Sequence, residues 1–185
     1  VTTTARQQRH LDELVVTGVR ASLRSAVEQK REAVQVIDAV TAEDIGKFPT
    51  TNVAESAQRI TGVQITRTNG EGSKISVRGL SPDFTQTLYN GRVLTTPSGG
   101  RSFEFSTLAS DFVSAVEVYK TGRASIASGG IGSSINIRTP RPLDRPGFRG
   151  SIAVKGVLDS SRNDGNPITP EISGIISDTF ADNRI

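Results

Sequence analysis

Two stretches near the C-terminal end constrain the fold more than any other part of the chain. From Phe148 to Asp159 the even positions read Phe148, Gly150, Ile152, Val154, Gly156 and Leu158. The odd positions read Arg149, Ser151, Ala153, Lys155, Val157 and Asp159. One face is apolar and the other mostly polar over about 11 residues, the period and length of a barrel strand that crosses a membrane. After a polar turn from Arg162 to Pro167, the stretch Ile168 to Phe180 repeats the pattern, with Ile172, Gly174 and Ile176 against Glu171, Ser173 and Ser177. Ala181-Asp182-Asn183 reads as a tight turn. Two such strands cannot stand alone in lipid, because their unpaired edges find no water there. A soluble β-hairpin is one outcome. The expected one is the first hairpin of a barrel whose remainder lies outside this sequence.

The rest of the chain is of another kind. With 185 residues, 35% hydrophobic, 5% aromatic and 18 glycines, it predicts one small, loop-rich domain with short strands and a thin core. The net charge of +3 is spread along the chain without Lys/Arg runs interleaved with aromatics, so no nucleic-acid partner is expected. There is no Cys and hence no disulfide frame. There is also no Met, which predicts a piece of a longer protein or one that has lost a leader. No signal-peptide core and no long apolar run is visible.

Val1 to Leu11 is polar and reads as disordered. DELVVTGVRAS, Asp12 to Ser22, then places Leu14, Val15, Val16 and Val19 in a short β-prone run with no local hairpin partner. Ala21 to Val34 carries Leu23, Val27 and Val34 at roughly helical spacing, a marginal helix or a connector. Glu32 to Ala39 alternates as a strand. Thr41 with Glu43 and Asp44 reads as a helix start ended by Phe48-Pro49. Thr50 or Thr51 caps a second helix, whose Val53, Ala54, Ala57 and Ile60 share a face and which Gly62 ends.

Short strands follow. Val63 to Arg67 and Lys74 to Arg78 flank Asn69-Gly70-Glu71-Gly72, a hairpin signal. Thr87 to Tyr89 and Arg92 to Leu94 flank Asn90-Gly91, the strongest two-residue one. Thr96 to Arg101 reads as a loop, Ser106 to Val113 as a short helix, and Ala115 to Lys120 as a strand. Ser128 to Ser134 is glycine-rich, Ile135 to Thr139 is one more strand, and Pro140-Arg141-Pro142 is a stiff stop.

No catalytic constellation emerges. His10 is the sole histidine, too few for a Ser-His-Asp or His metal site. Glu43-Asp44 is better read as helix-start charge than as an acid/base pair. SGGIGSS lacks the GxGxxG spacing and a following helix, and Gly46-Lys47 lacks the earlier P-loop glycine. Nothing fixes a cation at Asp159, Asn163 and Asp164. No enzyme, cofactor or metal is expected.

ELVVTG, ITGVQITR, ISVRGL, TLYNGRVL and SAVEVYKTGRASIASGGIGSSINIRTPRP occur in that order before an amphipathic strand. This ordered set resembles the plug domain of TonB-dependent outer-membrane receptors, over roughly Glu13 to Pro142. AEDIGKFPTTNVAESAQRITGVQI looks most like a branch often linked to sugar uptake. The chain departs from the family pattern at Asn90-Gly91, where Asp-Gly is frequent. It departs again at Thr121-Gly122-Arg123, where Arg-Gly-Pro is frequent, and at Ile131-Gly132-Ser133, where Ile-Gly-Gly is frequent.

The resemblance implies an α+β plug with a short mixed sheet, followed by the first strands of a transmembrane antiparallel barrel. Its parts would be a flexible arm over 1–31, a plug over 32–142 and two barrel strands over 143–185. It makes Glu13, Leu14, Val15, Val16, Thr17 and Gly18 the TonB box, an edge strand that adds to a partner's sheet through main-chain hydrogen bonds. The partners implied are the TonB C-terminal domain, with ExbB–ExbD behind it, the chain's own barrel, outer-membrane lipid and an extracellular ligand. Hairpin alternation, with the TonB box in the periplasm, puts Asn69–Ser73 and Thr96–Phe105 at the outer apex and Ser81–Gln86 at the inner end. Ligand contacts are then expected at Arg67, Asn69, Glu71, Pro97, Arg101 and Phe103, with Phe103 and Phe105 stacking on a sugar face. Arg78, Glu117, Arg123 and Arg138 are expected to be plug–barrel contacts. Oligosaccharide uptake is the expected function and a ferric siderophore the alternative substrate. A signalling receptor and a free-standing soluble binding module are the other two hypotheses.

Overall fold

The computed structural model describes residues 20–42, 52–96, 99–144, 146–158 and 168–180. The chain divides between Thr139 and Pro140 into two compact units, beside the stiff Pro140-Arg141-Pro142 stop. The first is mixed α+β. Its main sheet has five strands in the order β1-β6-β7-β4-β5: Ile37–Thr41, Ala115–Tyr119, Ser133–Arg138, Thr85–Tyr89 and Arg92–Val93. β2 (Val63–Thr68) and β3 (Glu71–Val77) form a separate antiparallel hairpin. All pairings in the main sheet are antiparallel except β4 with β7, which is parallel.

Turn chemistry explains much of this. Asn69 and Gly70 close the β2–β3 hairpin, and Asn90 and Gly91 the β4–β5 hairpin, all four at positive φ. That is the two-residue turn whose twist suits paired strands. Arg78 and Gly79 are also both at positive φ, and Leu80 N–H donates to the Val77 carbonyl, closing a third turn of the same kind. Here the left-handed position falls to an arginine, which lacks the Asn or Gly tolerance of that conformation.

Strand alternation builds the core. Val116 and Val118 of β6 and Ile135 and Ile137 of β7 pack with Ile75 and Val77 of β3, Val113 and Phe105. The short helix α2 (Val53–Ala57) lays Val53, Ala54 and Ala57 into the same cluster, with Ile60 just beyond. The expected cap at Thr50 or Thr51 is Asn52 instead: its side chain accepts from the N–H groups of Ala54 and Glu55 and donates to the Gly72 carbonyl.

Other expectations are corrected. The strand read over Glu32 to Ala39 lies at Ile37–Thr41, after a helix, α1, spanning 20–32. The thin apolar face of α1 buries little, since Leu23 and Val27 remain exposed. Thr41 is the last residue of β1, and its hydroxyl donates to the Ser22 carbonyl at 2.8 Å; the helix expected to start there falls on residues outside those described. Glu43 to Thr50 lies outside the described residues. Ser106 to Val113 is not one helix but two 3-10 turns, Phe105–Thr107 and Ser110–Phe112, because Phe105 and Val113 must both enter the core.

The second unit is an antiparallel hairpin of two ten-residue strands, β8 (Arg149–Leu158) and β9 (Ile168–Ser177). Register places Ile152 opposite Gly174, Val154 opposite Ile172 and Leu158 opposite Ile168. These isoleucines, Val154 and Leu158 are all exposed. The other face carries Ser151, Ala153, Lys155 and Glu171, the last two directly opposite each other. Among the described residues, no helix is long and apolar enough to cross a membrane, and the strands carry the one membrane-length pattern.

Candidate functional site

The run Glu13 to Gly18 lies outside the described residues. The structure does show where it attaches. α1 runs back along β1: Ser22 Oγ donates to the Thr41 carbonyl at 2.6 Å, and Lys30 Nζ sits 2.5 Å from Asp38. The start of α1 therefore lies beside the end of β1. β7 ends there too, since Thr41 faces Ala115 and Ala115 faces Arg138. The Asn90-Gly91 turn is fastened at the same place, with Asn90 Nδ2 donating to Thr139 Oγ1 and Thr139 N–H to Asn90 Oδ1. The start of α1 and Thr139, the last residue of the first unit, thus lie at one end of the sheet.

The opposite end is built from three loops. Asp83 Oδ1 accepts from Ser102 N–H, Arg101 donates to the Gly129 carbonyl at 2.8 Å, and Gly132 N–H donates to the Phe84 carbonyl. The 3-10 turn Pro82–Phe84 thus shares an end with the 99–102 and 128–132 loops. This corrects the expected alternation, in which Ser81–Gln86 and Thr96–Phe105 fall at opposite ends. Alternation presupposes a meander, whereas β4 leaves β3 and enters another sheet parallel to β7.

Of the expected ligand contacts, Arg67 follows a register shift in β2 and reaches Glu55 at 3.5 Å. Asn69 is the first residue of its turn and Glu71 opens β3, both exposed. Arg101 is exposed at the Gly129 loop. Phe103 is half-buried, with its ring edge-on to Phe105 at 5.1 Å between centroids. Phe105 is 1% exposed and packs in the core, so the expected stacking of both rings on a sugar is corrected for Phe105. Pro97 lies outside the described residues.

Glu117 is buried on the sheet face away from the main core and accepts three hydrogen bonds. Tyr119 OH lies at 2.7 Å, Asn136 Nδ2 at 2.9 Å and Arg138 Nη1 at 3.2 Å. The charge of Glu117 is thus matched by Arg138 inside the sheet. Asn136 Oδ1 accepts from Gly91 N–H, which ties the network to the β4–β5 turn. Burial pushes the Tyr119 phenol well up, and the bond and charge of Glu117 push it further. Arg78 and Arg123 are exposed, on the turn after β3 and the loop after β6.

A second polar cluster was missed. Asp38 is shared by Lys30 and Lys120, each at 2.5 Å, and Lys120 also donates to the Thr61 carbonyl at 2.7 Å. Burial opposes ionisation of Asp38, but the bonds and charges of both lysines outweigh it and hold the carboxyl below its ordinary value. Lone charges beside apolar strand residues were the available signal. Among the described residues no cluster of His, Cys, Asp or Glu could hold a metal.

The family model of the TonB-dependent Receptor Plug Domain matches residues 29–134. The ferric enterobactin receptor PirA of Pseudomonas aeruginosa is 30% identical over 154 residues, covering 75% of this chain and 20% of the relative. The vitamin B12 transporter BtuB of Vibrio cholerae is 32% identical over 126 residues, covering 66% of this chain and 20% of its own length. The chain thus spans about a fifth of the curated relatives it matches. Among solved structures, the siderophore receptor PirA from Acinetobacter baumannii has a TM-score of 0.60 at 20% identity. The match covers 82% of this chain and 23% of that one.

Proposed function

Because the chain belongs to the TonB-dependent receptor plug domain family, we propose that it is the gate of an outer-membrane active transporter in a Gram-negative bacterium. In that reading substrate binds from outside, TonB takes hold of Glu13–Gly18 in the periplasm, and energy from ExbB–ExbD opens the plug. One observation carries the reading. The plug-type sheet is followed at once by a hairpin whose ten-residue strands present a continuous apolar face to the outside, as lipid-facing strands do. The parts we propose are an arm with the TonB box ahead of α1, a plug that includes α1, and the first two barrel strands. A free-standing soluble module would have no use for such a face.

The end of the sheet beside the start of α1 then faces the periplasm. The loops holding Pro82–Phe84, Arg101 and Gly129 face the substrate, and we add Phe84, an exposed ring, to Arg67, Asn69, Glu71, Pro97, Arg101 and Phe103 as a candidate contact. The substrate we propose is a ferric siderophore. The relative named for ferric enterobactin supports an iron chelate, and neither it nor the one named for vitamin B12 is named for a sugar; the oligosaccharide has the AEDIGKFPTTNVAESAQRITGVQI stretch alone in its support. An anionic chelate would meet the guanidinium groups of Arg67 and Arg101.

Arg78 and Arg123 are proposed to contact the barrel wall. A non-glycine residue held at φ 58° costs of the order of 1 kcal/mol, and a side chain retained at that cost has work to do. Arg138 is half-exposed beyond Glu117 and reaches the wall in the same reading, with Glu117 fixing its aim.

The test is binding of the chain to the TonB C-terminal domain, with Val16→Pro as the variant. Proline removes a ladder donor from the added strand. Capture of the wild type and loss with Val16→Pro is the expected result. Equal capture of both, or of neither, refutes Glu13–Gly18 as the coupling strand. Growth of a deletion strain under iron limitation against growth on oligosaccharides decides the substrate.

A further inference from the structure

We propose that Asn69 is a self-modifying site. Its side-chain amide is lost to the backbone nitrogen of Gly70, leaving aspartate or isoaspartate at the tip of the β2–β3 hairpin, while Asn90, in the same Asn-Gly turn, is protected. The consequence for substrate rests on the apical placement of Asn69 given above; the chemistry at Asn69 does not.

The reaction needs only what an Asn-Gly pair carries, and water. The Gly70 nitrogen, losing its proton, attacks Asn69 Cγ. The N–Cγ bond forms, the Cγ–Nδ2 bond breaks, and Nδ2 leaves as ammonia with that proton. The product is a five-membered imide, which water opens at either carbonyl. Attack at Cγ restores the main chain and leaves aspartate. Attack at the main-chain carbonyl carbon of residue 69 reroutes the chain through Cγ, leaves isoaspartate and lengthens the backbone by one carbon. Glycine at the second position puts no Cβ in the way of the ring.

Both asparagines are exposed and both lie at positive φ, so neither access to water nor backbone region separates them. Their surroundings do. Asn90 N–H donates to the Ile137 carbonyl and its Nδ2 to Thr139 Oγ1, while its Oδ1 accepts from Thr139 N–H. Gly91 N–H donates to Asn136 Oδ1. The amide carbon and the nitrogen it would join are thus each held by a third residue. Asn69 lacks these holds: among the described residues its side chain has no hydrogen-bond partner, and no atom beyond the chain neighbours stands within 4 Å of where a Cβ on Gly70 would be.

The tip can also open. β2 and β3 form a sheet of their own, a register shift between Thr66 and Arg67 interrupts their ladder, and beyond it Arg67 pairs with Gly72 and Thr68 with Glu71. Asn52 holds the Gly72 carbonyl, so a turn that opens to bring Gly70 onto Asn69 leaves the rest of the hairpin closed, a small local opening.

Asp-Gly suits this turn as Asn-Gly does, so aspartate keeps the hairpin and adds one negative charge. That charge joins Glu71 and the Glu55 that already faces Arg67, at a tip assigned above to an anionic iron chelate. Isoaspartate adds the same charge and spoils the two-residue turn. A reacted apex therefore holds such a chelate less well than a fresh one.

Incubating the purified full receptor in mildly alkaline heavy-oxygen water tests this, with peptide mapping for the label and isoaspartyl methyltransferase for the isomer. Labelled acid should build up at residue 69 at least about tenfold faster than at residue 90, because two side-chain hydrogen bonds must break first at Asn90. Thr139→Val removes one of those bonds and should speed residue 90 while leaving residue 69 unchanged. Equal rates at the two sites, no label at residue 69, or a residue 90 indifferent to Thr139→Val overturns the inference. Ferric enterobactin, as the anionic probe, should bind the incubated wild type about two- to fivefold more weakly than the fresh one, whereas Asn69→Gly should lose nothing relative to its own fresh state. Conversion at residue 69 with unchanged affinity, or no binding by the fresh receptor, counts against the apical substrate reading alone.

Discussion

Replacing Glu117 by Ala tests the network that fastens β6 to β7. Glu117 is 5% exposed and is the acceptor for three donors. Its loss leaves the Asn136 amide, itself buried, short of a partner at about 1–3 kcal/mol. The half-buried Tyr119 hydroxyl adds a smaller share, about 1 kcal/mol. Arg138 is open to water and contributes least, because solvent takes over most of its pairing. The total is about 2–4 kcal/mol, overlapping the range for breaking one side of a buried pair. Read as amide hydrogen exchange in the intact receptor, protection in β6 and β7 should fall about thirty- to a thousand-fold. Glu117→Gln keeps one acceptor and should lose about 1–2 kcal/mol. Exchange within threefold of wild type in Glu117→Ala, or equal loss in Ala and Gln, would refute the reasoning. Either result would mean that water or the barrel already satisfies these donors.

Arg78→Gly should relieve the left-handed backbone and raise plug stability by up to about 1 kcal/mol, yet make the outer membrane leakier to large antibiotics. Unchanged permeability would reduce Arg78 to a turn residue. Gly130→Ala should destabilise by about 1–3 kcal/mol, because its methyl would fall 2.0 Å from the Ser133 carbonyl oxygen; thermal unfolding of the receptor reads this, and an unshifted midpoint would contradict the packing. Asp38 has a lowered folded-state value, so its contribution is present above its unfolded value and lost as pH falls through the folded one. Exchange over Ile37–Thr41 should therefore rise below about pH 4, and Asp38→Asn should abolish that rise. Tyr119 is shifted the other way. Its contribution is full below the ordinary phenol value of about 10 and is lost progressively as pH rises from there through the raised folded-state value, so alkaline loosening of β6 should be absent in Tyr119→Phe.

Local chemistry was legible wherever the cause is local. Asn69-Gly70 and Asn90-Gly91 announce their turns because few residues accept positive φ, and the alternations of β6, β8 and β9 are visible because side chains on a strand repeat every second residue. The face shared by Val53, Ala54, Ala57 and Ile60 follows from helical spacing in the same way. The ordered motifs sufficed for the family, and the family for the plug and barrel parts.

What only the tertiary structure decided depends on residues far apart in the chain. Nothing near Thr85 says that it will lie parallel to Ser133, yet that pairing moves the Ser81–Gln86 loop to the end that carries Arg101 and Gly129. Glu117 was legible as a charge on a strand, but its three partners come from two strands, and the match with Arg138 exists only once β6 and β7 are in register. Phe105 looked like a free ring beside Phe103 until the core claimed it. Asp38, Lys30 and Lys120 form a latch only because α1 folds back along an edge strand. A sequence records what each residue can do with its neighbours in the chain. Which of two distant groups it meets is set by how the sheets close over the core.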